Sequence, residues 1–384
     1  MAKKINIAVV GLNFGALFVP SYKFHPNVGE LIICDLNREL VNKIGDCLDI
    51  QKRYYALEDV LKDNTIDAIH LLTNIPDHDK QSIAVLESGK HCACAVPMSL
   101  TMEGINNIIA AQQKSGKKYM LMETNIYTRN YLYAQKMIDS GEMGHIQYVK
   151  GAHYQDMEGW PRYWKGMPPM FYASHALAPA FTALRSRAKR VTCLGSGKMR
   201  EELHKPYGNP FPMQTALYEM EDGTLVEITR TLFANAKAYT EQFTIGGDIS
   251  TFECGQLDDD LPIVFKYVDN GVFDPDKVFT VGREVSVKRI DPPDQFDLIP
   301  EEIHKFTRPQ RMVSMTDPSN VYEYPSATGG YHPHVVNEFI MSIVEDRKPA
   351  FDVYNSADLT AACLCAHESS MLGGKEVIIP KFGE

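Results

Sequence analysis

The chain has 384 residues, enough for two domains with separate cores, and its 44% hydrophobic and 23% charged content is that of a soluble globular protein. A formal net charge of −10 argues against nucleic acid or an anionic membrane surface as the main partner. No apolar stretch approaches the roughly twenty residues of a membrane span, and the start, Met1-Ala2-Lys3-Lys4, runs into a strand with no signal-peptide core.

The first 120 or so residues alternate strand and helix. Strands are expected at 5–10, 30–34, 67–72, 91–95 and 118–122, and helices at 15–25, 38–49, 57–62, 78–89 and 102–115. This alternation predicts an α/β Rossmann-type domain over residues 1–127, with a parallel sheet and ligands at the carboxyl ends of its strands. The first such end reads Gly11-Leu12-Asn13-Phe14-Gly15-Ala16. Gly11 allows a tight turn, and Ala16 fills the third place of the G-x-G-x-x-G/A spacing. Asn13 stands where the second glycine is usual, and Asn tolerates positive φ, so the turn is expected to survive. Asp35 ends the second strand, where a carboxylate can accept from both ribose hydroxyls and repels a 2′-phosphate. NAD is therefore expected over NADP. The other residues just past strands are also cofactor-binding candidates: Thr73, Asn74 and His78, then Ala95, Val96 and Pro97, then Glu123 and Asn125.

The character changes after residue 128. A helix at 129–140 leads into strands at 145–154, 190–196, 213–220, 224–233 and 238–246, with Glu221-Asp222-Gly223 as a hairpin turn. Residues 128–384 read as an α+β domain with a mostly antiparallel open sheet, for substrate binding and oligomerisation, whose C-terminal helices can pack back on the first domain. Segment 255–330 is rich in Pro, Asp and Gly and has little periodicity; a functional loop region or an oligomer contact is expected there. Helices follow at 333–347 and 356–372, and a strand over 376–380.

There are eight cysteines. Cys92 and Cys94 are too close for an ordinary disulfide, and Cys363 and Cys365 repeat the spacing on a predicted helix. Reduced, buried thiols in a cytoplasmic protein are expected. The run Tyr331-His332-Pro333-His334 offers no third ligand, so no metal site is expected.

These features resemble the Gfo/Idh/MocA oxidoreductases over nearly the whole chain. The resemblance is carried by Thr73…His78 with Ala84-Val85-Leu86-Glu87-Ser88-Gly89-Lys90-His91, by Asn337-Glu338-Phe339 through Lys348-Pro349-Ala350, and by Val377-Ile378-Ile379-Pro380. The family usually places Glu-Lys-Pro after its fourth nucleotide-domain strand; here the place reads Ala95-Val96-Pro97, without the lysine. The family's Asp four residues before its substrate-domain histidine is also absent, Phe171 standing four before His175. Those departures make the chain similar to the branch that holds glycoside hydrolase family 109 and glycoside-oxidising enzymes. Tyr172-Ala173-Ser174-His175, Met122-Glu123-Thr124-Asn125 and Gly329-Gly330-Tyr331-His332 match that branch. The resemblance implies NAD as cofactor, a sugar or glycoside substrate and a homo-oligomer built through the open sheet.

Oxidising a sugar hydroxyl needs a base with a pKa near working pH, and His175 is the candidate, with Tyr172 sharing or relaying the proton. The segment Trp160-Pro161-Arg162-Tyr163-Trp164-Lys165 offers stacking faces in Trp160 and Trp164 and donors in Arg162 and Lys165. His153, Tyr154 and His332 are further groups expected near the sugar. Three functions compete. The first is NAD-dependent oxidation of a ring hydroxyl, on carbon 3. The second is a redox-neutral glycosidase that oxidises, eliminates, adds water and reduces. The third is a non-catalytic NAD-binding sensor, which the missing lysine allows. The oxidoreductase is preferred because the first domain departs from family 109 at the Gly-rich turn and at Ala95–Met98.

Overall fold

The computed structural model describes residues 3–257, 259–268, 271, 276, 282–314, 316–324 and 329–383. Strands β1 (Ile5–Val10), β2 (Val28–Cys34), β3 (Arg53–Tyr54), β4 (Ala68–Leu71), β5 (His91–Cys94) and β6 (Tyr119–Leu121) form a parallel sheet in the order β3-β2-β1-β4-β5-β6. The order reverses on either side of β1, so a crevice opens past the ends of β1 and β4. β3 pairs over two residues only, too short for any periodicity to announce it. The expected helix at 15–25 is two pieces, α1 (Leu12–Gly15) and α2 (Val19–Phe24), with Pro20 in the first turn of the second. Helices α3 (Arg38–Cys47), α4 (Leu57–Lys62), α5 (His78–Glu87) and α6 (Met102–Ser115) complete the unit. Asn37 caps α3 and Thr101 caps α6, each accepting a backbone N–H with its side-chain oxygen.

The second unit opens with α7 (Arg129–Asp139). Its main strands are β7 (Ile146–Tyr154), β8 (Ala188–Ser196), β9 (Met213–Met220), β10 (Leu225–Thr231) and β11 (Thr240–Gly247). β12 (Ser250–Glu253), β13 (Ile263–Tyr267) and β14 (Val285–Arg289) extend the sheet at one edge. The irregular character expected of 255–330 is thus corrected: it holds β13, β14 and a separate hairpin, β15 (Gln310–Val313) with β16 (Val321–Tyr324). β14 is exposed along its length, so no buried face imposed an apolar alternation that the sequence could display. α8 (Ser174–Leu184) lies on one face of the sheet, and a short α9 (Glu201–His204) follows β8. The chain closes with α10 (His332–Val344), α11 (Val353–Met371) and β17 (Val377–Ile378), giving the order β14-β13-β12-β11-β7-β10-β9-β8-β17. β10 and β7 are parallel and the other neighbours antiparallel.

The two units share cores. Val335, Val336, Phe339 and Ile340 of α10 pack with Ile7 and Val9 of β1, and the cluster around β4 and β5 continues into α8 and α11. The other face of the nine-stranded sheet is bare and carries Tyr148, Leu194, Leu217 and Leu225 as exposed apolar side chains. All eight cysteines are buried free thiols. Among the described residues no helix is long and apolar enough to cross a membrane, and no three His, Cys, Asp or Glu groups are placed to hold a metal ion.

Candidate active site

The nucleotide side is built by strand ends. Gly11 has φ of 90°, and a Cβ there would collide with the Leu72 carbonyl, so the turn after β1 passes backbone against backbone with the end of β4. Asn13 sits inside α1 and has no positive φ; the left-handed tolerance expected of it is not used, because Gly11 alone makes the turn. Asp35 is half-buried, and its carboxylate accepts from Leu12 N at 2.6 Å and Asn37 N at 2.8 Å. A carboxylate has about four lone-pair sites, so these two bonds leave capacity for ribose hydroxyls. Phe14 (47% exposed) and Asn74 are exposed past these strand ends, and a Cβ at Gly15 would make a tight contact with the Leu72 side chain. An acidic, Gly-turned crevice with exposed rims fits a dinucleotide.

Other candidates brace this edge. His78 is buried, and its ring nitrogens lie 2.8 Å from the Pro97 carbonyl and 3.2 Å from the Thr73 carbonyl. Burial pushes its pKa down, but the Cys94 sulfur and the two carbonyls outweigh that and raise it to about 9. His78 therefore ties the loops after β4 and β5 together instead of reaching for a ligand. Thr73 is half-buried and its hydroxyl donates to the Gln81 amide oxygen. Ala95 is half-buried, while Val96 and Pro97 are enclosed by protein.

The substrate side is built on the covered sheet face. Along β9, β10, β7 and β11 the paired rows Tyr218–Val226–Val149–Ile245 and Ala216–Ile228–Gly151–Phe243 are apolar or glycine. The next row in register is polar: Gln214, Arg230, His153 and Glu241. α8 comes down on this face at Gly151, where a Cβ would collide with the Ala176 carbonyl. That approach sets His175, second residue of α8, beside the row, with its ring centroid 5.6 Å from that of His153.

His175 is fixed from two sides. Its Nδ1 lies 2.6 Å from Glu123 Oε1, and Glu123 is fully buried. Pro179 lies inside α8 and has no N–H, so the His175 carbonyl lacks its i+4 donor; Asn125 Nδ2 donates to it instead, at 2.7 Å. Glu123 and Asn125, expected at the cofactor, are placed under His175. Glu123 Oε1 also accepts from Asn125 N, and its Oε2 is buried without a hydrogen-bond partner among the described residues. Burial pushes the His175 pKa down, but the carboxylates of Glu123 and Glu241 outweigh it and leave it above the ordinary histidine value. His153 has no such neighbour at bonding distance. Its Nε2 is 3.8 Å from Glu241, its nitrogens have no hydrogen-bond partner among the described residues, and burial with the Arg230 charge pushes its pKa well down. Tyr172 closes the cluster, half-buried, its ring 5.4 Å from His175 and 4.8 Å from Trp164. Burial raises its pKa.

The aromatic segment divides. Trp164 is buried and packs with Ile75 from the nucleotide unit, Met167, Leu232 and Phe233. Trp160 is 56% exposed, 6.3 Å from Trp164, and Arg162 and Lys165 are exposed beside it. Two expected substrate contacts are corrected. His332 is fully buried among the rings of Phe18, Tyr324 and Tyr331, and burial pushes its pKa to about 3; it is a core ring that joins the two units. Tyr154 follows His153 on the strand and so points to the opposite face, where Lys237 lies over its ring. Sequence reasoning missed Arg230, Glu241 and Gln214. Their signal was available: each shares the strand parity of buried apolar residues, as Arg230 does with Val226 and Ile228.

Comparison with known proteins bears on the nucleotide-binding domain and on the fold. Residues 5–123 match the Gfo/Idh/MocA family model, described as an oxidoreductase family with an NAD-binding Rossmann fold. A glycosyl hydrolase family 109 protein of Phocaeicola vulgatus is 27% identical over 195 residues, 46% of this chain and 41% of that protein. Another, of Saccharopolyspora erythraea, is 21% identical over 288 residues, 65% of this chain and 62% of that protein. The matches thus span less than two thirds of these relatives' own length. A levoglucosan dehydrogenase in complex with NADH and levoglucosan superposes with a TM-score of 0.77 over 99% of this chain and 100% of that one, at 17% identity, a likeness of fold.

Proposed function

We propose that this chain, whose residues 5–123 match the Gfo/Idh/MocA family model, belongs to that oxidoreductase family and is an NAD-dependent oxidoreductase acting on a ring hydroxyl, on carbon 3, of a sugar or glycoside. The observation that carries the reading is the buried His175–Glu123 pair, in which Nδ1–H donates to the carboxylate and leaves Nε2 free to take a proton. NAD, held at Gly11, the α1 turn and Asp35, supplies the hydride acceptor when bound and, once reduced, a hydride donor. His175 receives the hydroxyl proton, and the Glu123 carboxylate stabilises the imidazolium that results. Tyr172 borders His175 and relays or orients. Trp160, with Arg162 and Lys165, offers a stacking face and donors at the rim. The pairing of a buried base with a buried carboxylate is a costly arrangement for a protein that only senses NAD.

A second reading is the redox-neutral glycosidase, favoured by His153. A ketone on carbon 3 acidifies the C–H of carbon 2, which lies between it and the anomeric carbon, and a second base must remove that proton before the aglycone leaves. His153, whose buried ring nitrogens have no hydrogen-bond partner among the described residues, stands 5.6 Å from His175 by ring centroids and is the group nearest to hand for that base. Purified protein is incubated with a panel of free sugars and aryl glycosides, with and without NAD. The oxidoreductase reading expects NADH to accumulate with substrate. Aglycone release without net NADH supports the glycosidase, and neither signal across the panel overturns both.

We also propose a homo-oligomer through the bare sheet face around Leu194, Leu217 and Leu225, and a cytoplasmic setting on the strength of eight free buried thiols.

A further inference from the structure

Arg230 is the largest fully buried side chain among the described residues, and it is a cation. Its guanidinium donates to four acceptors: Nε to the Tyr172 carbonyl at 2.8 Å, Nη1 to the carbonyls of His153 at 3.0 Å and Thr231 at 2.6 Å, and Nη2 to Gln155 Oε1 at 2.8 Å. Every one of these acceptors is neutral. A buried charge without a bonded counter-ion is costly even when well hydrogen-bonded, so a structural role alone accounts poorly for it. Burial pushes its pKa to about 10, which still leaves it charged at neutral pH.

Its position is specific. Arg230 pairs with His153 in the β10–β7 register, and its Cζ lies 5.5 Å from the centroid of the Tyr172 ring. One side chain thus holds the backbone of both groups that flank His175. Gln214, its neighbour on β9, helps by accepting from Met170 N at 2.9 Å, in the same short turn that ends at Tyr172. The planar fork of arginine reaches several carbonyls at once; a lysine ammonium in its place would keep the charge and lose most of those bonds.

We propose that Arg230 is a positioning residue of this site: it pins the carbonyls of Tyr172 and His153 and sets a fixed positive charge beside the buried His153 ring. The inference rests on the site assignment made above. The titratable groups that face Tyr172 and His153 are His175 from α8, Glu123 from just past β6, Tyr239 from just before β11, Glu241 from β11, and Tyr331 from just before α10. Glu241, 3.8 Å from His153 Nε2, is the carboxylate nearest that ring, and burial first, then the charges of Arg230 and His175, disfavour its protonation. A neutral His153 can serve as an acceptor for a substrate proton; a protonated one cannot.

The test needs no turnover. Histidine ring resonances are followed against pH in ¹³C-labelled protein, with His153 assigned by its loss in His153→Gln. In the wild type His153 should stay neutral well below the ordinary histidine value of about 6.5. Arg230→Gln should raise its titration by about one pH unit or more, and Arg230→Lys should leave it close to wild type. Turnover adds a second readout: Arg230→Lys loses rate with an unmoved pH limb, while Arg230→Gln also moves the limb upward. A wild-type His153 that titrates at or above the ordinary value overturns the proposal, even if both variants fail to fold. An unchanged His153 titration in folded Arg230→Gln overturns it too. A wild type that turns over no sugar counts against the oxidoreductase reading and leaves the titration to judge Arg230.

Discussion

The two sheets build their halves of the site in opposite ways. The nucleotide sheet contributes what lies past its strand ends: the Gly11 turn, Asp35 and the loop at Asn74, all at an open edge. The nine-stranded sheet contributes side chains from the strand face itself, the buried row Gln214, Arg230, His153 and Glu241, covered by α8. Loops adapt to a ligand that enters and leaves, whereas residues on paired strands keep fixed distances to one another. The comparison predicts that damage at strand ends weakens cofactor binding and damage on the covered face stops the chemistry.

The largest expected effect is from His175→Ala, which should lower turnover by about 10²–10⁴, the range for losing a general base. Calorimetry should find NAD binding nearly unchanged; unimpaired turnover would move the base to Tyr172 or His153. Gly151→Ala comes next. Its methyl group meets the Ala176 carbonyl and lifts α8, so turnover should fall about 10²-fold with a lower Tm, as for a misplaced catalytic group. If turnover survives, the close approach of α8 is not what places His175. At the strand ends, Asp35→Ala should narrow the preference for NAD over NADP and leave the chemical step intact, which paired titrations with both dinucleotides would read. The smallest effect is expected on the bare face. Leu217→Glu should change monomer stability by no more than about 0.5 kcal/mol and lower the mass found by light scattering. An unchanged mass would remove this face as the oligomer contact.

Much of the nucleotide half was legible because its signals are local. An apolar strand, a glycine at the tight turn and an acid about twenty residues on sit within one stretch of chain, and the order of elements followed from their alternation. His175 was legible as a candidate through Tyr172 and the residues that follow it. Its supports were less so. Pro179, four residues on, announces an unsatisfied carbonyl, but nothing local says that Asn125 fills it. Glu123 reads as a strand-end residue, and only the packing of the two units turns it toward His175. The row of Arg230, His153 and Glu241 depends on strand register, which joins residues about 77 to 88 positions apart along the chain. His332 misled because a motif containing histidine says nothing of burial; its partners Phe18 and Tyr324 come from distant segments.

The most direct measurement is the pH dependence of substrate-dependent NADH formation in wild type and Glu123→Gln. His175 works as a base only when neutral, so the rate should rise with pH through its raised pKa. Removing the carboxylate charge lowers that pKa, so the limb should move to lower pH. The plateau should fall about 10–100-fold, the equivalent of a charge-assisted hydrogen bond worth about 1.5–3 kcal/mol. A limb that stays in place or moves to higher pH, with an unchanged plateau, would contradict the assignment of His175 and Glu123 as the working pair.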